Sequence, residues 1–255
     1  MRRSFEELVA EGAAVPVEGW DFSWFEGRAT EERAPWGYAG LLADRLAAAW
    51  ASLDVQTGGG EVVAFALRRA TRRPDVVAAT ESWPPNLPVA RHTLAAWQAQ
   101  VVEVPEDGDL PFADAAFDLV SSRHPTRQRW DEIARVLRPG GTYLSQGIGS
   151  GSNRELYEFL MGPQQDDGPP AAQRALDGAR AAGLDVVDLR EAATRVEFFD
   201  VGAVVHFLRK VVWTVPDFTV ERYRDRLRAL HEVIERDGRF VAHSQRYLIE
   251  ARRPA

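Results

Sequence analysis

The run Leu53-Asp54-Val55-Gln56-Thr57-Gly58-Gly59-Gly60-Glu61, with Glu81 twenty residues beyond it, combines the residue types that hold a nucleoside. Three consecutive glycines let a turn adopt positive φ and lie against a ligand with no side chain in the way. A helix N-terminus behind such a turn offers unpaired N–H groups and a partial positive charge. A carboxylate such as Glu81, at the end of the following strand, accepts both hydroxyls of a ribose. The order strand, glycine turn, helix, strand, acid is the one a nucleoside-containing cofactor needs. Taken alone, the glycine run has a competing reading as a plain strand-to-helix connection.

The surrounding elements supply that order. Residues 41–50 read as a helix leading into a short buried strand at 51–55, and the apolar residues after Glu61 open the next helix. Further strands are expected at 75–80, 100–104, 117–122, 142–146, 184–189 and 243–251. Helices are expected at 60–70, 85–97, 127–137, 154–161 and 171–182, Pro85 suiting a first helical turn. This alternation predicts a doubly wound α/β fold with a mostly parallel sheet and helices on both faces.

Two regions fall outside that pattern. Residues 5–39 are rich in aromatics, namely Trp20, Phe22, Trp24, Phe25, Trp36 and Tyr38. Residues 197–239 hold an apolar helix from Val201 to Trp213, ended by Pro216, and then a charged helix from Thr219 to Asp237. The stretch Gly162-Pro163-Gln164-Gln165-Asp166-Asp167-Gly168-Pro169-Pro170 is a turn-forming linker.

A chain of 255 residues with 45% hydrophobic and 27% charged residues is an ordinary globular composition. No cysteine is present, which excludes disulfides and thiolate metal sites. No apolar stretch is long enough to span a bilayer, and no apolar segment follows the N-terminal arginines, so a cytoplasmic location is expected. A net charge of −7 argues against a polyanionic partner. The arginines at 222, 224, 226 and 228 have acids among them, Glu221 and Asp225, and read as a solvated helix face.

Three blocks carry a family resemblance. The first is the run from Asp54 to Gly60, which lacks the third glycine of a dinucleotide fingerprint because Glu61, Val62 and Val63 follow. The second is Leu110-Pro111-Phe112-Ala113-Asp114-Ala115-Ala116-Phe117-Asp118-Leu119-Val120. The third is Ile133-Ala134-Arg135-Val136-Leu137-Arg138-Pro139-Gly140-Gly141-Thr142-Tyr143-Leu144. In order and spacing they resemble the class I S-adenosylmethionine (SAM) dependent methyltransferases, whose motif I reads roughly acid-x-Gly-x-Gly-x-Gly. Gln56 stands at the first glycine position, a departure that either replaces a backbone contact with a side-chain one or weakens cofactor binding.

The resemblance implies a seven-stranded sheet, with residues 1–40 as a lid segment, 41–255 as the methyltransferase domain and about 197–240 as a substrate-covering insertion. It implies S-adenosyl-L-methionine as cofactor and a small-molecule methyl acceptor. By resemblance, the turn of Gln56, Thr57, Gly58 and Gly60 lies against the methionine part, and Asp54 orients its ammonium. Glu81 takes the ribose hydroxyls, Trp83 flanks the adenine, one of Glu106 and Asp107 accepts the adenine amino group, and Ser122 and Arg123 line the junction of cofactor and substrate. Solvation of an acidic loop competes for Glu106 and Asp107.

The acceptor side is less specific. Trp36, Tyr38, His206 and Trp213 suggest a partly apolar acceptor, although packing in a core is the commoner fate of such residues. His124, in Ser121-Ser122-Arg123-His124-Pro125, is the candidate general base, its ordinary pKa near 6.5 suiting proton abstraction. A satisfied polar residue before a proline turn is the bland alternative. The histidines are scattered, which predicts no metal site. Enzymes that methylate base amino groups carry Asn/Asp-Pro-Pro-aromatic after the fourth strand, where this chain has Ser122-Arg123-His124-Pro125. The rival functions are an RNA or protein methyltransferase and a module that kept the fold without turnover.

Overall fold

The computed structural model describes residues 3–17, 22–165 and 168–255. Trp20 of the aromatic segment and Asp166 and Asp167 of the linker lie outside the described residues. The chain divides into two compact units.

The unit of residues 34–149, 169–192 and 246–255 carries the nucleoside-type motif. Its elements are α2 (Tyr38–Ala48), β2 (Ala51–Asp54), α3 (Glu61–Arg69), β3 (Val76–Glu81), α4 (Asn86–Leu94), β4 (Gln100–Glu103), β5 (Phe117–Arg123), α5 (Trp130–Val136), β6 (Leu137–Ile148) and α7 (Ala171–Ala181). The first part of β7 (Asp185–Phe198) and the second part of β8 (Phe240–Arg252) belong to it as well.

Strands β2 to β6 pair in parallel, and β8 runs antiparallel to β6. All four residues of β2 are buried, which is why it reads as a short apolar run rather than an alternating one. Successive side chains along a strand point to opposite faces, so Leu119 and Val120 enter different cores. Leu119, Leu144 and Leu248 pack with Leu42, Ala64 and Leu94 from α2, α3 and α4. Val120, Tyr143 and Ile249 pack with Ile133 and Ala175 from α5 and α7. Helices therefore cover both faces.

The second unit comprises residues 3–17, 22–33, 150–165, 168 and 193–245 among those described. It contains α1 (Phe5–Ala14), β1 (Ala29–Glu31), α6 (Arg154–Met161), α8 (Val201–Lys210), α9 (Arg224–Asp237) and the remaining parts of β7 and β8. Ser4 and Glu7 close a capping box at the start of α1. Helix α8 is buried nearly all round, as its continuous apolar sequence demands. It approaches α1 at two glycines: a Cβ on Gly12 would lie 2.2 Å from the Gly202 carbonyl oxygen, and one on Gly202 would lie 2.4 Å from the Leu8 carbonyl oxygen. Asp200 caps α8 through the Ala203 N–H and takes a two-pronged hydrogen bond from Arg28.

The sheet has eight strands in the order β1-β7-β8-β6-β5-β2-β3-β4, not seven. The addition is β1, three residues long and antiparallel to β7 at Ala29↔Phe198. Its sequence, Ala29-Thr30-Glu31, is too short to carry a period, and only its partner makes it a strand. Strand β6 also starts earlier than expected, taking in Pro139-Gly140-Gly141 beside an irregular register between Phe117 and Leu119. Helix α1 was not foreseen, and the charged helix begins at Arg224 rather than Thr219.

Candidate active site

The C-terminal ends of β2, β3, β4 and β5 meet at one edge of the motif-bearing unit. A cleft there is lined by Gln56, Thr80, Glu106, Ser122, Arg127 and Tyr143 among others. Such crevices at the carboxyl ends of parallel strands are where open α/β sheets bind ligands.

Asp54 ends β2 and is buried. Burial pushes its carboxyl up to about 6, with the nearby Glu81 charge adding to the shift, while the Ser121 and Thr57 hydroxyls favour the charged form. The Ser121 hydroxyl donates to Asp54 Oδ1 at 2.5 Å. The sheet register sets Asp54 against Ser121 on β5, a contact with no local signal in the sequence. Thr57 Oγ1 is buried and falls short of a hydrogen bond to any described atom.

The glycine turn is built as its composition requires. Gly58 and Gly60 have φ of +63° and +80°. A Cβ on Gly58 would meet nothing within 4 Å, whereas one on Gly60 would sit 2.9 Å from Leu94 Cγ. Gly58 is thus open on the side a ligand would use, and Gly60 is the close packing point under α3. Gln56 also has a positive φ, +57°. Its side chain ties the turn to the segment after β5: Oε1 accepts from the Thr126 N–H at 2.7 Å and hydroxyl at 3.0 Å, and Nε2 donates to the Arg127 carbonyl at 2.7 Å. Thr126 and Arg127 were not singled out from sequence.

Glu81 ends β3 and is buried. Its Oε2 accepts from the Gly58 N–H at 2.6 Å, and Oε1 accepts from the Ser82 and Trp83 N–H groups at 3.0 and 2.8 Å. Trp83 beyond it is 39% exposed. Glu106 and Asp107 are exposed, and Arg129 donates to the Asp107 carbonyl oxygen. Glu106 lines the cleft and Asp107 does not.

Ser122 lines the cleft but is bound into the sheet: its hydroxyl lies 2.8 Å from Tyr143 Oη and 3.0 Å from Ser145 Oγ. Arg123 is exposed at the end of β5. His124, next along, has φ +57°. Burial, with Arg123 and Arg246 nearby, holds its pKa well below the ordinary histidine value. Its Nε2 lies 3.0 Å from Gln146 Nε2, and Gln146 Oε1 accepts from the Trp36 indole N–H at 2.7 Å.

Of the four residues expected to face an acceptor, three are packed. Trp36 and Tyr38 are buried in the core around Leu42, and the Tyr38 hydroxyl donates to the Ser122 carbonyl oxygen at 3.0 Å. His206, in the other unit, is buried against Trp24 and Phe25, with pKa lowered to about 4, chiefly by burial. Trp213, also in that unit, is 56% exposed. Among the described residues no cluster of three or more metal-ligating side chains occurs.

Residues 53–145 match the family model described as "Methyltransferase domain". The chain carries a class I SAM-dependent methyltransferase domain. S-adenosyl-L-methionine is the cofactor of this methyltransferase. Its fold resembles that of the YcgJ protein from Bacillus subtilis, at 14% identity and TM-score 0.58 over 86% of this chain and 98% of that one. A Bacillus halodurans C-125 protein provisionally described as a methyltransferase aligns at 19% identity and TM-score 0.54, over 80% and 92% of the two chains. The [4+2]-cyclase SpnF aligns at 18% identity and TM-score 0.51, over 85% and 80%. At these identities the likenesses speak for the methyltransferase fold. No curated protein is a significant sequence match. Among the described residues no helix is long and apolar enough to cross a membrane.

Proposed function

We propose that this methyltransferase methylates a small organic molecule, with the cofactor held at the carboxyl edge of β2 and β3. The observation that carries the reading is the pairing of two buried acids, Asp54 and Glu81, across an open glycine turn.

The residues fit the cofactor. Thr57 Oγ1 is a buried hydroxyl beside Asp54 that completes no hydrogen bond among the described residues, Gly58 leaves room for a ligand, and the two carboxylates suit a group that brings an ammonium and two hydroxyls. In this reading Asp54 orients the ammonium and Glu81 takes the ribose hydroxyls. Thr57 and Gly58 lie along the methionine part, Trp83 flanks the adenine, and Glu106, as the cleft-lining acid of its pair, meets the adenine amino group. When bound, S-adenosyl-L-methionine supplies a methyl group already activated for displacement. The chain's own residues then have three tasks: to orient the acceptor, to keep water out and to hold the two partners in line.

Two features favour a small acceptor over nucleic acid. The net charge is −7, and the segment after β5 is Ser122-Arg123-His124-Pro125 rather than the pattern of base-amino methylases. The likeness to a [4+2]-cyclase supports a second reading, other chemistry on the same fold, because fold does not fix reaction.

Calorimetric titration with S-adenosyl-L-methionine and its demethylated product, in the wild type and in Glu81→Ala, tests the cofactor assignment. Micromolar binding, about −8 kcal/mol, that collapses in the variant is expected. Absence of binding at millimolar ligand would overturn it. A panel of small acceptors with isotope-labelled methyl donor then separates methyl transfer from the second reading, which predicts binding without transfer.

A further inference from the structure

Trp36, Gln146 and His124 form a chain of hydrogen bonds whose donor and acceptor atoms are fixed by chemistry alone. An indole N–H only donates. The atom 2.7 Å from Trp36 Nε1 must therefore be the Gln146 carbonyl oxygen, which settles an amide orientation that heavy-atom positions leave open. The other end of the amide, an NH₂ group that only donates, lies 3.0 Å from His124 Nε2. His124 Nε2 must then present its lone pair, and the ring proton must sit on Nδ1. The opposite tautomer, and equally the imidazolium, would set two donors face to face.

The backbone enforces the same arrangement. The His124 N–H donates to the Gln146 carbonyl at 2.7 Å, so the two residues are joined at main chain and side chain. Trp36 and Gln146 are both buried, 9% and 5% exposed, so water does not replace either bond freely. The charged groups near the ring are Arg123 on its own segment and Arg246 on β8, both of which disfavour a second proton. The hydrogen bonds of His124 run from its backbone N–H and its Nε2 to Gln146, and the residue as a whole is partly exposed. His124 stands between Ser122 and Pro125, two residues that line the cleft.

We propose that Trp36 and Gln146 are positioning residues that lock His124 as a neutral Nδ1–H donor, and that His124 orients the methyl acceptor by donating to it rather than deprotonating it. The inference rests on the methyltransferase reading for what the donor meets. It narrows the acceptor to a molecule with a hydrogen-bond-accepting oxygen or nitrogen whose nucleophilic atom needs no proton removed by His124. Carboxylates, acidic phenols and amines with a free lone pair are of this class.

Imidazole ¹⁵N spectra of the histidine-labelled apo-protein test the lock without cofactor or substrate. In the wild type, His124 is expected as the Nδ1–H tautomer throughout about pH 5 to 8, with no titration near the ordinary value of about 6.5. Gln146→Glu replaces the NH₂ group with a second oxygen. It is expected to flip His124 to the Nε2–H form and shift its titration upward into that range. Trp36→Phe frees the amide to rotate and is expected to give a mixture of tautomers. A wild-type His124 that is Nε2–H, or that titrates near 6.5, overturns the proposal, and that spectrum decides the question even where a variant fails to fold. Cofactor titration of the same samples is a separate readout. Loss of cofactor binding in the wild type would sink the methyltransferase reading and leave the tautomer result standing. With any acceptor that is turned over, a rise of the wild-type rate with pH that follows the His124 midpoint in the ¹⁵N spectra and is absent from His124→Asn would return His124 to the part of general base.

Discussion

The Gly58 N–H donates to Glu81 Oε2 at 2.6 Å, so the glycine turn after β2 and the acid ending β3 hold one another. With the Ser82 and Trp83 N–H groups on Oε1, the carboxylate accepts three backbone hydrogen bonds. An ionised carboxylate has about four acceptor sites. A ribose bound there shares the acid with Gly58 or displaces it.

Glu81→Gln keeps the shape and removes one acceptor oxygen. A backbone donor is left unpaired in a buried place, costing about 1–3 kcal/mol of stability. Cofactor affinity should fall about tenfold or more, since a charge-assisted bond is lost. Thermal unfolding and calorimetry on one preparation check both. A variant matching the wild type in both would mean the carboxylate serves neither purpose.

Asp54 gives a pH dependence of definite sign. Its pKa is raised from 3.8 to about 6 in the folded chain, so the folded state holds the proton more tightly than the unfolded one. The stability this contributes is present below about pH 4 and is lost as pH rises through about 6, by up to roughly 3 kcal/mol. Asp54→Asn should therefore narrow the gap in unfolding temperature between about pH 5 and pH 7.5, and be the more stable protein at the higher pH, while binding cofactor poorly. Parallel stability curves for the two proteins would contradict the buried-acid assignment.

Gly58→Ala and Gly60→Ala should separate binding from folding. Both positions have positive φ, which costs an alanine about 1 kcal/mol. At Gly58 the added methyl meets empty space, so the main loss should be in cofactor affinity. At Gly60 it meets Leu94 at 2.9 Å, and stability should fall by about 2 kcal/mol or more. Equal effects of both substitutions on melting and on titration would remove the distinction.

Gln56→Gly would restore the family's glycine. It relieves a left-handed backbone worth about 1 kcal/mol but gives up three side-chain hydrogen bonds worth about 1 kcal/mol each. A net loss of about 1–2 kcal/mol is expected. Gln56→Ala, which keeps the strain, should lose more. Hydrogen exchange at the Thr126 amide should quicken in both. A more stable glycine variant with unchanged Thr126 protection would show the tether to be idle.

Much of the fold was legible because its signals are local. A buried parallel strand is a short apolar run, a doubly wound domain alternates such runs with amphipathic stretches, and Gly58 to Gly60 mark a turn whose backbone visits positive φ. Asp54 and Glu81 were legible because strand ends are marked by where the apolar runs stop. Other features needed the tertiary structure. β1 exists only as a partner for β7, and the packing of Trp36, Tyr38 and His206 depends on which helix faces which sheet. The contacts of Asp54 with Ser121 and of Trp36 with Gln146 join residues 67 and 110 positions apart. Sequence fixes which groups donate and which accept. The register of β2, β5 and β6 decides which of them meet, because a slip of one residue would turn Asp54, Ser121 or Gln146 to the opposite face.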